Sequence, residues 1–219
     1  MFSTMTCWRC LRNLLVLAAA TAQIAVPANM VPQTPPRLSP FGDGDWWVLT
    51  KTLQYKIGKA AGTIIIPAGF TTDLASTPSL VWTFFPRSGN YMSAAILHDY
   101  LYYDQRCTRE QADNIFKLEM REFGVSKTTL FLIYTAVDLV GWLFWDDKGP
   151  RGDTRAYRII PPKPLESFLG AQLTANQSWA LVRGKVNVED YQTVRDYMDQ
   201  SFKVNDGIRE ICGKAVQEL

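Results

Sequence analysis

The 219-residue chain is 47% apolar with 12 prolines, long enough for one full hydrophobic core plus an added lobe and globular in composition. Its net charge of +2 comes from Arg9 and Arg12, and beyond residue 22 Lys+Arg and Asp+Glu balance. No long-range field favours nucleic acid, so a DNA- or RNA-binding role is set aside.

Residues 1–22 read as a secretory signal. Two arginines precede the apolar run Leu14 to Ala22, and Ala20-Thr21-Ala22 offers a small-x-small cleavage site. The run is too short to span a bilayer, and Pro27 would interrupt any extension. Translation from Met30 is the competing reading. The mature chain is therefore expected to be exported, periplasmic or secreted, and the pair Cys7-Trp8-Arg9-Cys10 goes with the leader. Cys107 and Cys212 remain, either as one long-range disulfide or as two buried thiols. One histidine and two distant cysteines cannot supply a standard zinc set.

Residues 23–37, rich in Pro and Gln, read as a linker. Short strands are expected at Trp46 to Leu49, Leu53 to Ile57 and Thr63 to Ile66, punctuated by Gly58 and Gly62 and forming a small antiparallel sheet. A loop, Phe70 to Pro78, leads out of it. There Ser76 or Thr77, followed by Pro78, suits a helix N-cap better than a nucleophile.

Three helices follow. The first starts near Ser88 or Asn90 and runs to about Tyr103. The second opens on a capping box, Thr108 with Gln111, and ends near Gly124. The third runs from about Ser126 to Trp145. Its stretch Leu130 to Trp145, apolar all round apart from Asp138, predicts a buried helix in preference to a membrane span. Trp82, Phe84 and Phe85 read as core. Beyond Lys148 comes a proline-rich connector, then two weak helical patterns at 164–183 and 188–204 that carry no evident chemistry. The expected fold is α+β: a small antiparallel sheet on a three-helix core over residues 38–148, with a mostly helical C-terminal extension over 149–219.

The only histidine, His98, carries the one plausible reaction centre. His98 and Tyr102 share a helical face, while Asp99 is rotated by about 100°. If the turn after this helix centres between Gln105 and Arg106, His98 and Asp113 lie equally far from it on either side. Two antiparallel helices then bring them level. A carboxylate so placed holds an imidazole in one tautomer and supports the imidazolium that forms when it takes a proton. Tyr102 can reach the same carboxylate, and Asp99, pointing aside, offers oxygen to a hard cation.

This His98-Asp99-x-x-Tyr102 run facing Asp113 is similar to the helix pair of secreted phospholipase A2. The resemblance implies His98 as the base that activates water, Asp99 as a calcium ligand, Asp113 as the orienting acid and Tyr102 as its partner, with a phospholipid or membrane surface as substrate. The glycine-rich calcium loop and clamping disulfides of that family have no counterpart here.

A longer pattern joins Pro67-Ala68-Gly69-Phe70-x-Thr72-Asp73-x-Ala75-Ser76-x-Pro78 to Ala95-x-x-His98-Asp99-x-Leu101-Tyr102, then to Ala112-Asp113-x-x-Phe116 and Gly124-Val125. It resembles domain-of-unknown-function family 1353, widespread in phages, prophages and bacteria. That resemblance implies that Asp73 and Ser76 belong to the same site as His98, while the competing reading of Asp73 is a helix cap or turn residue.

The leading expectation is an exported phospholipase A2-like hydrolase, using His98, Asp113 and Tyr102 for catalysis and Asp99 and Asp73 for calcium. The rival is a non-catalytic phage-derived structural or envelope-interaction protein in which His98 and Asp113 form a buried clamp. An exported toxin or effector is the first reading in another role. An enzyme opens His98 and Asp99 onto a pocket; a clamp buries both with their polar atoms satisfied.

Overall fold

The computed structural model describes residues 35–56, 62–74, 92–145, 158–170, 178–189, 196–197, 200 and 203–216. The signal, most of the linker, Ser76 and the cluster Trp82, Phe84 and Phe85 lie outside these residues.

Among the described residues the chain is α+β, with two small antiparallel sheets and six helices. β1 (Leu38–Pro40), β2 (Trp47–Leu49) and β5 (Thr71–Thr72) form one sheet in the order β1-β2-β5. Register places Leu38 opposite Leu49 and Trp47 opposite Thr72. Pro40 sits on the edge strand, where its missing N–H costs no ladder bond. β3 (Leu53–Tyr55) and β4 (Ile64–Ile66) pair as a hairpin in which Leu53, Tyr55, Ile64 and Ile66 face the core and Gln54 faces out. Three of these strands were legible from their β-branched and aromatic runs. β1 and β5 were not, because β1, Leu-Ser-Pro, has no β-branched or aromatic residue and β5 lies in what reads as loop.

α1 (Met92–Asp104) is the central element, buried at every position from Ser93 to Asp104. Gln105, with φ 53, ends it in a left-handed turn, and the chain reverses into α2 (Arg109–Glu122). Thr108 and Gln111 form the expected reciprocal capping box, and Ser126 caps α3 (Lys127–Phe144) through the Thr129 N–H.

α3 departs from the sequence expectation of a buried helix. Ile133 and Val137 pack on Phe116, Met120 and Phe123 of the α2 region and on Ala94 and Ala95 of α1. The opposite face is in solvent: Phe131, Leu139 and Trp142 are 68%, 66% and 64% exposed. An apolar circumference permits burial on all sides but does not supply the elements to accomplish it. No helix among the described residues is long and apolar enough to cross a membrane.

The C-terminal segment is built into the same cores. The Arg158 carbonyl accepts from the Thr71 N–H (2.8 Å), and the Ile160 N–H donates to the Gly69 carbonyl (2.9 Å). Gly69 has φ 87, and a Cβ there would collide with the Ile160 carbonyl, so this strand-like contact requires glycine. α4 (Pro162–Gly170) begins on prolines that the sequence suggests as connector; at a first helical turn their missing N–H groups cost nothing. Phe168 of α4 and Trp179, at the start of α5 (Trp179–Glu189), close over Phe41 of the first sheet. α6 (Ile208–Val216), which the sequence did not suggest, inserts Ile208, Ile211 and Cys212 into the main core. Cys107 and Cys212 are disulfide-bonded with Cα atoms 6.0 Å apart, which ties α6 to the α1–α2 turn. Asn205, 3% exposed, accepts from the Ile65 N–H (2.8 Å) and donates to the Ile65 carbonyl (2.7 Å) and to the Tyr100 hydroxyl (2.8 Å). Its amide thus takes the place of a neighbouring strand along the edge of β4.

Candidate functional site

The reversal at Gln105 brings α1 and α2 side by side, with His98 level with Asp113. His98 Nε2 and Asp113 Oδ1 are 2.9 Å apart. An ionised carboxylate only accepts, so with Asp113 charged Nε2 carries the proton and donates. The Tyr102 hydroxyl donates to the same oxygen at 2.6 Å, and Arg109 Nη1 donates to Oδ2 at 2.8 Å. Arg109 is the residue the sequence reading missed. It lies one helical turn before Asp113, and this i,i+4 spacing was the available signal. Burial, then the hydrogen bond to Asp113, push the Tyr102 phenol well above its ordinary range, so it stays a donor. Burial lowers the Arg109 pKa, but the Asp113 charge and the Tyr102 hydroxyl outweigh it and hold the guanidinium charged.

The group is closed. His98, Asp99 and Asp113 are 3%, 2% and 1% exposed. The His98 ring stacks obliquely on Phe116 (centroids 4.8 Å apart) and on Tyr102 (4.3 Å). Trp145 meets Tyr102 edge-on at 5.1 Å. Gly141 of α3 completes the wall: a Cβ there would lie 2.6 Å from the Tyr102 hydroxyl and 3.2 Å from Arg109 Nη1. The glycine lets α3 back directly onto the network, a role that one sequence alone does not reveal.

Asp99 points away from this group, as its helical rotation predicts. Its carboxylate accepts a short hydrogen bond from the Thr72 hydroxyl, whose oxygen in turn accepts from the Leu74 N–H at 3.0 Å. Asp99 thereby ties α1 to β5 at the point where Leu74 takes φ 55. Thr72 is a residue of that loop that reaches Asp99, and Asp73 follows it, half-buried. Among the described residues no group of three or more His, Cys, Asp or Glu is placed to hold a metal ion. A calcium ion needs six to eight oxygens, several of them open to it. Asp99 itself is buried and accepts from the Thr72 hydroxyl.

A second buried acid lies further along α2. Glu119 is 3% exposed, with Oε2 lacking a hydrogen-bond partner among the described residues. Burial, then the nearby Glu122, raise its carboxyl well above the ordinary range. A cleft of about 220 Å³ lies elsewhere, between the β3–β4 hairpin and Tyr197, Gln200 and Val204.

No curated protein and no solved structure matches this chain. Residues 47–137, which hold β2 to β5, the His98–Asp113 helix pair and most of α3, match the profile described as "Protein of unknown function (DUF1353)".

Proposed function

We propose that this is a non-catalytic interaction protein: the His98–Asp113–Tyr102–Arg109 network is a buried clamp that fixes the α1–α2 pair, and the clamped pair presents α3 outward as a binding surface. The observation that carries this reading is the closure of the site. His98, Asp99 and Asp113 are all at most 3% exposed, and both oxygens of Asp113 are engaged by protein donors. A buried polar network satisfied in this way specifies a helix register. Contiguous exposed apolar side chains on a monomer mark contact sites.

One feature favours the phospholipase A2-like alternative. Asp113 takes Nε2 and leaves Nδ1 as the nitrogen available to accept a proton. The two readings separate in one experiment: mixed phospholipid vesicles with the purified protein, with calcium and with chelator, beside His98→Ala. The clamp reading expects no fatty-acid release above background and a lower melting temperature for the variant. Calcium-dependent release that vanishes in His98→Ala, with its melting temperature unchanged, would overturn it in favour of a hydrolase.

A further inference from the structure

The exposed side chains of α3 are not scattered. Leu132, Leu139 and Trp142, with the half-buried Thr135 between them, recur at spacings of three and four and form one stripe, flanked by Phe131. Leu132 is 51% exposed, and Phe131, Leu139 and Trp142 are more so. Their spacing is that of alternating a and d positions in a two-helix seam.

We propose that this stripe docks a second copy of the chain, α3 against α3, antiparallel about a two-fold axis that crosses the stripe midway between Thr135 and Leu139. In that register Leu132 packs on Trp142 of the partner and Thr135 on Leu139 of the partner, with each layer repeated by symmetry. The stripe is therefore self-complementary, as a two-fold interface must be. Its area approaches what a dimer needs: Phe131, Leu132, Leu139 and Trp142 offer about 550 Å² per copy, so two copies bury roughly 1,100 Å², near the lower end of specific interfaces.

Charge agrees with this occupant. α3 carries only Lys127, at its start, and Asp138, beside the stripe. Arg109 Nη1 lies 3.9 Å from Asp138 Oδ1, so the axis brings no uncompensated pair of carboxylates together. A lipid surface is the other candidate for an apolar face, but interfacial helices are flanked by several lysines or arginines that hold them to anionic headgroups. α3 has one lysine, most of a helix length from Trp142.

This inference rests on the interaction reading above but has its own test. Sedimentation of the purified chain across a concentration series should give a monomer–dimer equilibrium. Leu132→Glu and Trp142→Lys, both at solvent-exposed positions, should each weaken it by about 30-fold or more while leaving the circular dichroism and melting temperature of the monomer unchanged. Mixing the two variants should restore a heterodimer, because the antiparallel register sets the introduced carboxylate of one chain beside the introduced ammonium of the other. A chain that stays monomeric at all concentrations overturns the proposal, as does a dimer indifferent to both variants. A monomer that floats with anionic vesicles through Trp142 overturns it in favour of lipid. Vesicle hydrolysis bears on the clamp reading alone, so the two can fail separately.

Discussion

Replacing Asp113 by alanine removes the acceptor on which three donors converge. His98 Nε2 and the Tyr102 hydroxyl are left buried without a partner, at about 1–3 kcal/mol each. Arg109 is different. Its side chain is 30% exposed and can turn to water, so its loss costs little. The expected destabilisation is therefore about 2–6 kcal/mol, a large part of the roughly 5–15 kcal/mol typical of a folded chain. At this chain length that corresponds to a fall in melting temperature of roughly 10 °C. Asp113→Asn keeps one oxygen acceptor and should lose about half as much. The assay is paired thermal and urea denaturation with the disulfide intact, following near-ultraviolet circular dichroism. A loss below about 0.5 kcal/mol for Asp113→Ala, the range of an ordinary surface substitution, would refute the clamp. So would an asparagine variant as damaging as alanine, since retained acceptor capacity would then be irrelevant.

Gly141→Ala places a methyl group against the Tyr102 hydroxyl and should cost about 1–3 kcal/mol, read by the same denaturation series. An unchanged midpoint would mean that α3 is free to move away from the network. Reduction of Cys107–Cys212, which spans 105 residues, should lower stability by about 4–5 kcal/mol on the chain-entropy account; melts with and without reductant measure it. Glu119 gives a pH dependence. Because its folded pKa is raised, its contribution is complete below the ordinary carboxyl range and is lost as pH rises toward the folded value. Glu119→Gln should therefore be more stable than the parent at neutral pH, with a flatter decline of stability above pH about 4.5; identical pH profiles would contradict this.

What could be read directly from the residues is local. The capping box at Thr108 and Gln111, the N-cap at Ser126 and the strands around Val48, Tyr55 and Ile65 are set by near neighbours, and near neighbours are what a sequence displays. The His98–Asp113 pairing was legible for the same reason. A short turn between two helices makes distance in space a simple function of distance along the chain, and Tyr102 then follows from helical periodicity.

The remaining features depend on long-range packing. That Asp99 is held by Thr72 depends on where β5 lies against α1, separated by a long intervening stretch of chain. That Gly141 backs onto Tyr102, Asn205 onto Ile65 and Cys212 onto Cys107 depends on how distant segments pack. The exposed face of α3 is the sharpest case. Its residues are as apolar as those of α1, yet α1 is enclosed on every side and α3 on one. Hydrophobicity states which side chains gain from leaving water. Whether they leave it is fixed by how many other elements the fold brings to them.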